Sequence, residues 1–172
     1  IKLYNPGIIG VATTCLAETI GEDIDRMVSE FISEEGIDKS RIISLSAPGY
    51  GGSQFEGYFK ALTEVAGKLV KSSISNGRIN VIVPFLNPGE IRCIKHILDM
   101  FGLDYILFPD ISDTLDSPFS KSYKKIPEGG TKIDDIKTMS GSAATIEMAL
   151  TVPPGISPGQ YLSDRYGVPL YR

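Results

Sequence analysis

The chain has 172 residues, enough for one domain with one core. Charged residues make up 22% and hydrophobic ones 42%, the balance of a soluble globular domain, and a net charge of −4 supplies no basic stripe for a nucleic-acid backbone. No apolar run approaches the ~20 residues of a membrane span, no signal peptide opens the sequence, and two cysteines are too few for a disulfide framework and suit a reducing cytoplasm.

The first strand is predicted over Ile8–Thr14, a β-branched run bounded by Gly7. A helix follows in which Ile24, Met27, Val28 and Phe31 recur at helical spacing, with Gly36 as its stop. The second strand, Ile42–Ser46, leads through Gly49-Tyr50-Gly51-Gly52 to a helix with Phe55, Phe59, Leu62, Ala66 and Leu69 on one face. Ser53 and Glu56 make the capping box that starts it. The third strand is Ile79–Val83. Asn87-Pro88 then opens a helix carrying Ile91, Ile94, Leu98 and Phe101, closed by Gly102. Tyr105–Phe108 is the fourth strand, Thr131 with Asp134 a further capping box, and Thr145–Leu150 and Val168–Tyr171 weaker strands. The start at Ile1 and the closing strand suggest a piece of a larger chain.

Strand–helix–strand repetition predicts a Rossmann-like, three-layer α/β domain over residues 1–172, with a mostly parallel sheet and helices on both faces. Functional groups in such sheets gather at the carboxyl ends of the strands. Those ends carry Thr13-Thr14-Cys15, Ala47-Pro48-Gly49, Pro84–Asn87 and Pro109-Asp110.

Cys15 stands where the first strand gives way to a helix, a position that favours the thiolate, the form that ligates iron–sulfur clusters. Position alone fits better a small apolar residue packed at the strand end. One cysteine cannot hold a cluster, so such a role requires ligands from outside this chain. Gly49–Ser53 offers backbone amides at a helix start, but Gln54 replaces the third glycine of a dinucleotide fingerprint and no Walker lysine is present. A tight turn that lets the chain approach something closely fits better. Cys93 and His96, three apart on one helix, read as a packed cysteine and an exposed histidine, since two residues do not make a structural metal site. Asp110, Asp113 and Asp116 are spaced as loop residues, with an unspecific cation site as the alternative.

The wording of the chain says more. Thr13-Thr14-Cys15-Leu16-Ala17-Glu18-Thr19-Ile20-Gly21-Glu22-Asp23 resembles the T-T-C-[ML]-[AS]-E-x-[IL]-G-[DE]-D segment of the nitrogenase component 1 family, of the molybdenum–iron protein beta-chain type. Four further stretches follow in the family's order. Ala47–Tyr58 resembles T-P-S-[FY]-V-G-S-H-x-x-G-[FY], Ile79–Pro84 the K-I-N-[VI]-x-P-G strand, Ile94-Lys95 with Tyr105–Pro118 the segment ending L-x-[TSG]-P, and Pro127–Thr131 the [YP]-x-G-G-T motif.

The resemblance implies a subunit that pairs with a related alpha-type chain in a heterotetramer. The pair holds an iron–sulfur P-cluster at its interface and receives electrons from an ATP-dependent iron protein for dinitrogen reduction. Cys15 matches the beta-chain cysteine that ligates this cluster. The family's nearby serine, a further ligand of the oxidised cluster, falls at Gly49, and the histidine of its G-S-H at Gln54. The remaining beta-chain cluster cysteines of family members lie upstream of the segment matched here. By itself the chain is therefore expected to be inactive and without a cofactor. The alternatives are a non-catalytic scaffold for cofactor assembly, a nitrogenase-like reductase of another substrate, and a free-standing Rossmann-like binder of small molecules.

Overall fold

The computed structural model describes residues 1, 3–116, 118–119, 121–126 and 128–172. Six strands and six α-helices are present among the described residues, alternating except where two helices follow the first strand. They are β1 (Ile9–Ala12), α1 (Cys15–Thr19), α2 (Ile24–Glu35), β2 (Ile42–Leu45), α3 (Gln54–Leu69), β3 (Ile79–Ile82), α4 (Pro88–Met100), β4 (Tyr105–Phe108), α5 (Ile133–Lys137), β5 (Ala144–Glu147), α6 (Pro158–Tyr166) and β6 (Leu170–Tyr171).

All strand pairs are parallel, as expected, but the strands form two sheets rather than one. β1 pairs only with β2, and the other four run in the order β4-β3-β5-β6. Helix α3 accounts for the division. It packs on β2 and also contributes Phe59, Leu62, Ala66 and Leu69 to the core under the larger sheet, so one helix serves both. Full burial of Phe59 and Leu62 is worth roughly 1.5–3 kcal/mol each.

The larger sheet is a sandwich because its side chains alternate. Ile82, Ile106 and Phe108 face α3 and Leu162 of α6, whereas Val81, Val83 and Leu107 face Ile91 and Leu98 of α4. Asn80 is buried in the middle of β3. Its amide donates to Met139 O and Thr145 Oγ1, both at 3.0 Å, and its carbonyl accepts from Ser142 Oγ at 2.9 Å. In the smaller sheet Ile9, Val11 and Ile42 lie toward α2, and Gly10, Ala12, Ile43 and Leu45 toward α3.

Both expected helix starts at Ser53 and Asn87 are complete capping boxes, with Glu56 and Glu90 reaching back. Gly36 and Gly102 take left-handed φ of 61° and 65°. The box expected at Thr131 does not form. Helix α5 starts after Lys132 with no side-chain cap, because the Thr131 hydroxyl is used elsewhere. It donates to Leu107 O at 2.6 Å and accepts from Asp110 N at 2.8 Å, clipping the end of β4. Phe101 is likewise displaced from the apolar face of α4. It caps the helix end and is exposed. Ser117, inside the Tyr105–Pro118 stretch, and Pro127, of the Gly-Gly-Thr motif, lie outside the described residues.

Candidate functional site

The parallel register of the smaller sheet, Ala12 opposite Leu45, brings the segments after β1 and β2 to the same end. Thr13 joins them. Its amide donates to Leu45 O at 3.0 Å, its hydroxyl accepts from Ala47 N at 3.0 Å, and the same hydroxyl donates to the Glu18 carboxylate. The hydroxyls of Ser46 and Thr13 hold the Glu18 carboxyl below its usual range, with Lys60 adding to the effect. Lys60 Nζ also donates to Ser46 O at 2.8 Å.

Cys15 is the first residue of α1, with Thr14 as N-cap, and its side chain is exposed. The sulfur accepts the Gly49 amide at 3.0 Å. A β-carbon built on Gly49 would lie 3.2 Å from that sulfur, so a side chain at position 49 stands beside the thiol. The φ of Gly49 is not positive. The left-handed backbone that favours glycine appears three residues on, at Gly52, with φ 149° and the Glu56 carboxylate 2.8 Å from where its β-carbon would be. Between them Gly51 N donates to Pro48 O at 2.9 Å, which makes the expected tight turn. This loop, the first turns of α3, Lys60, Pro153 and Ile156 border a cavity of about 690 Å³.

The end of β3 reaches the same region. The ring of Phe85 meets Tyr58 of α3 edge-on at 5.9 Å, and Tyr58 donates to Val83 O at 3.4 Å. Burial pushes the Tyr58 phenol up to about 12, so it stays protonated. Leu16, Ile20, Tyr50 and Phe85 are exposed apolar side chains on the segments that follow β1, β2 and β3. Gln54 opens α3 and is exposed.

The other candidates separate from this site. His96 is exposed on α4 as expected, but Cys93 is exposed too instead of packed, because the face of α4 that turns inward carries Ile91 and Leu98. Two of the three loop acids are held in ion pairs. Asp110 pairs with Lys95 at 2.9 Å and Asp116 with Arg92 at 2.6 Å. No cluster of three or more His, Cys, Asp or Glu that could hold a metal occurs among the described residues. Sequence reasoning missed Glu147, a carboxylate with no solvent exposure at the end of β5. It accepts from Ser157 Oγ, Gly159 N and Arg172 Nε, and so pins the start of α6 to the sheet. The signal for α6 was present in Ser157-Pro158, the same cap-plus-proline pattern as Asn87-Pro88.

The sequence model of the nitrogenase component 1 type oxidoreductases matches residues 1–172. The chain belongs to that family. It is 37% identical over 165 residues to the nitrogenase molybdenum-iron protein beta chain of Clostridium pasteurianum, covering 95% of this chain and 34% of the relative. The corresponding beta chain of Methanothermobacter thermautotrophicus is 34% identical over 98% of this chain and 38% of its own length. The nitrogenase vanadium-iron protein beta chain of Trichormus variabilis is 31% identical over 94% and 35%. A solved structure of nitrogenase Cp1 at pH 6.5 superposes with a TM-score of 0.89 at 35% identity, over 99% of this chain and 37% of that one. The chain thus spans about a third of the length of the relatives it matches. No helix among the described residues is long and apolar enough to cross a membrane.

Proposed function

We propose that residues 1–172 form one domain of a nitrogenase-type oxidoreductase subunit, working in the cytoplasm, in which Cys15 supplies one thiolate to an interfacial iron–sulfur cluster. The observation that carries this reading is the junction of Cys15 and Gly49. The sulfur is exposed, it faces away from the core at a strand end, and position 49 adjoins it as the family's thiolate–serine pair requires. The donor set fits a shared site and not a closed one, since one thiolate leaves the remaining ligands to come from elsewhere. When bound, such a cluster would supply one-electron chemistry between an ATP-dependent iron protein and the site of dinitrogen reduction. The chain's own part is to hold the thiolate, direct a main-chain N–H at it, and present Leu16, Ile20, Tyr50 and Phe85 to a related alpha-type subunit. The relatives named above are beta chains of molybdenum–iron and vanadium–iron proteins, which supports electron transfer over a scaffold role.

Replacement of Cys15 by Ala in the assembled two-subunit protein tests this. The side chain is exposed and the backbone bonds of α1 do not need it, so the fold is kept at a cost of about 1 kcal/mol or less. Iron content is expected to fall and the cluster's EPR signal to change. An unaltered signal with full iron content would sink the ligand assignment.

A further inference from the structure

Thr13 has a near-buried side chain and makes more polar contacts than a strand-end residue needs. Its hydroxyl accepts the Ala47 amide and donates a hydrogen bond to Glu18, which stands one helical turn beyond Cys15 on α1. Ala47 lies two residues before Gly49, whose amide is the one directed at the Cys15 sulfur. These contacts close a ring. The helix that carries the sulfur is tied through Glu18 to Thr13, Thr13 is tied to the segment after β2, and that segment returns a main-chain N–H to the sulfur. Without the Thr13 hydroxyl, the direct ties between the two segments among the described residues, beyond the strand pairing and the Gly49 N–H itself, include the Thr13 N to Leu45 O bond and the Ser46 contact with Glu18, which Glu18→Ala removes together with the Thr13 one.

The donor at Gly49 matters because hydrogen bonds to ligating sulfurs tune cluster reduction potentials. An N–H directed at a thiolate stabilises the more negative, reduced state and so raises the potential. Its effect depends on distance, and the ties between the two segments hold that distance.

We propose that Thr13 and Glu18 are positioning residues that fix the Gly49 amide on the Cys15 sulfur and thereby set the potential of the cluster. The inference rests on the reading that Cys15 is a cluster ligand. Thr13→Val removes the hydroxyl at constant shape, and Thr13→Ser returns it. In the assembled two-subunit protein, with iron content measured alongside, Thr13→Val shifts the midpoint potential in the negative direction and changes the EPR line shape. Thr13→Ser brings both back toward the parent values. Glu18→Ala, at a half-exposed helical position where alanine is well tolerated, shifts the potential in the same direction and serves if Thr13→Val does not assemble. An unchanged potential in whichever of these variants retains its iron overturns the proposal. Cys15→Ala measured in parallel separates the two failures. If it leaves the cluster untouched, the ligand reading itself is wrong. If it alters the cluster while Thr13→Val and Glu18→Ala do not, only the positioning role is lost.

Discussion

One added carbon has opposite consequences at two glycines of this fold. At Gly49 a β-carbon would meet only Cys15 Sγ, at 3.2 Å, and φ is not positive, so serine adopts this backbone without strain. Restricting the unfolded chain favours such a variant by roughly 0.4–1 kcal/mol. Relieving the sulfur contact by turning the exposed Cys15 side chain off its rotamer costs about 0.5–1.5 kcal/mol. The two nearly cancel, and Gly49→Ser is expected to leave stability within about 1 kcal/mol of the parent, or about 2–4 °C in Tm. At Gly141 the same carbon would lie 2.1 Å from Ile74 O, 2.6 Å from Ser73 Oγ and 3.0 Å from Ile74 C. Backbone must move there, and the Asn76 N to Gly141 O bond and the contact between Ser73 and Ser140 move with it. Overpacking costs about 1–3 kcal/mol and each lost hydrogen bond about 1 kcal/mol, so Gly141→Ala is expected to cost about 3–5 kcal/mol. Thermal unfolding followed by circular dichroism on both variants checks the contrast. Equal losses of Tm would refute the reasoning that the nearest atom, and not the glycine itself, decides the outcome.

Arg172→Ala removes the cation from the fully buried Glu147 carboxylate; the remaining bonds from Ser157 and Gly159 soften the loss, and about 3 kcal/mol is expected, read from urea midpoints at constant m. Burial alone would raise the Asp110 carboxyl, but the Ser112 hydroxyl, the Lys95 ammonium and the Ser112 amide outweigh it and leave the group below its ordinary value. A depressed carboxyl contributes stability that is present above the unfolded value, about 3.9, and is lost as pH falls through the folded one. Asp110→Asn should therefore be less stable than the parent at pH 6, with the gap narrowing below about pH 4 in denaturant melts. A gap that stays constant over that range would remove Asp110 from the account of acid sensitivity.

Signals that act within a few residues were readable before the structure. Ser53 with Glu56, Asn87 with Pro88, and the two left-handed glycines at helix ends each satisfy their own neighbourhood. Thr131 shows the limit of such signals. Thr-x-x-Asp looks alike whether the hydroxyl caps a helix or clips a strand, and Leu107 O, 24 residues away, decides it. Sheet membership is still less local. Apolar runs announce that β2 and β3 are buried, but α3 separates them, and β3 finds its second neighbour in β5. Helix α6 escaped because two of its three buried residues are Pro158 and Gly159, which no apolar periodicity counts. The meeting of Cys15 with Gly49 was legible in part. Parallel strands of matched register put their exits together, and this much follows from topology, but the proposed use of the sulfur came from the family's wording and not from its position.

The contact between Cys15 and Gly49 has two parts that glycine affects differently. The N–H directed at the sulfur belongs to the main chain, so it is the same with glycine or serine at position 49. The family's oxygen ligand belongs to the side chain, which glycine lacks. In the proposed cluster-holding protein, restoring serine should therefore alter the reduced state only slightly, through the turn of the Cys15 side chain that relieves the 3.2 Å contact. The oxidised state should gain a ligand, since the added β-carbon would stand 3.2 Å from the sulfur and its hydroxyl reaches the same surroundings. Redox-poised spectra of Gly49→Ser separate these parts. A change much larger in the oxidised form fits a cluster beside this loop. An equally large change in both forms means that the sulfur or the amide was displaced by the substitution. No change in either, on a backbone that accepts serine, counts against any cluster at this loop.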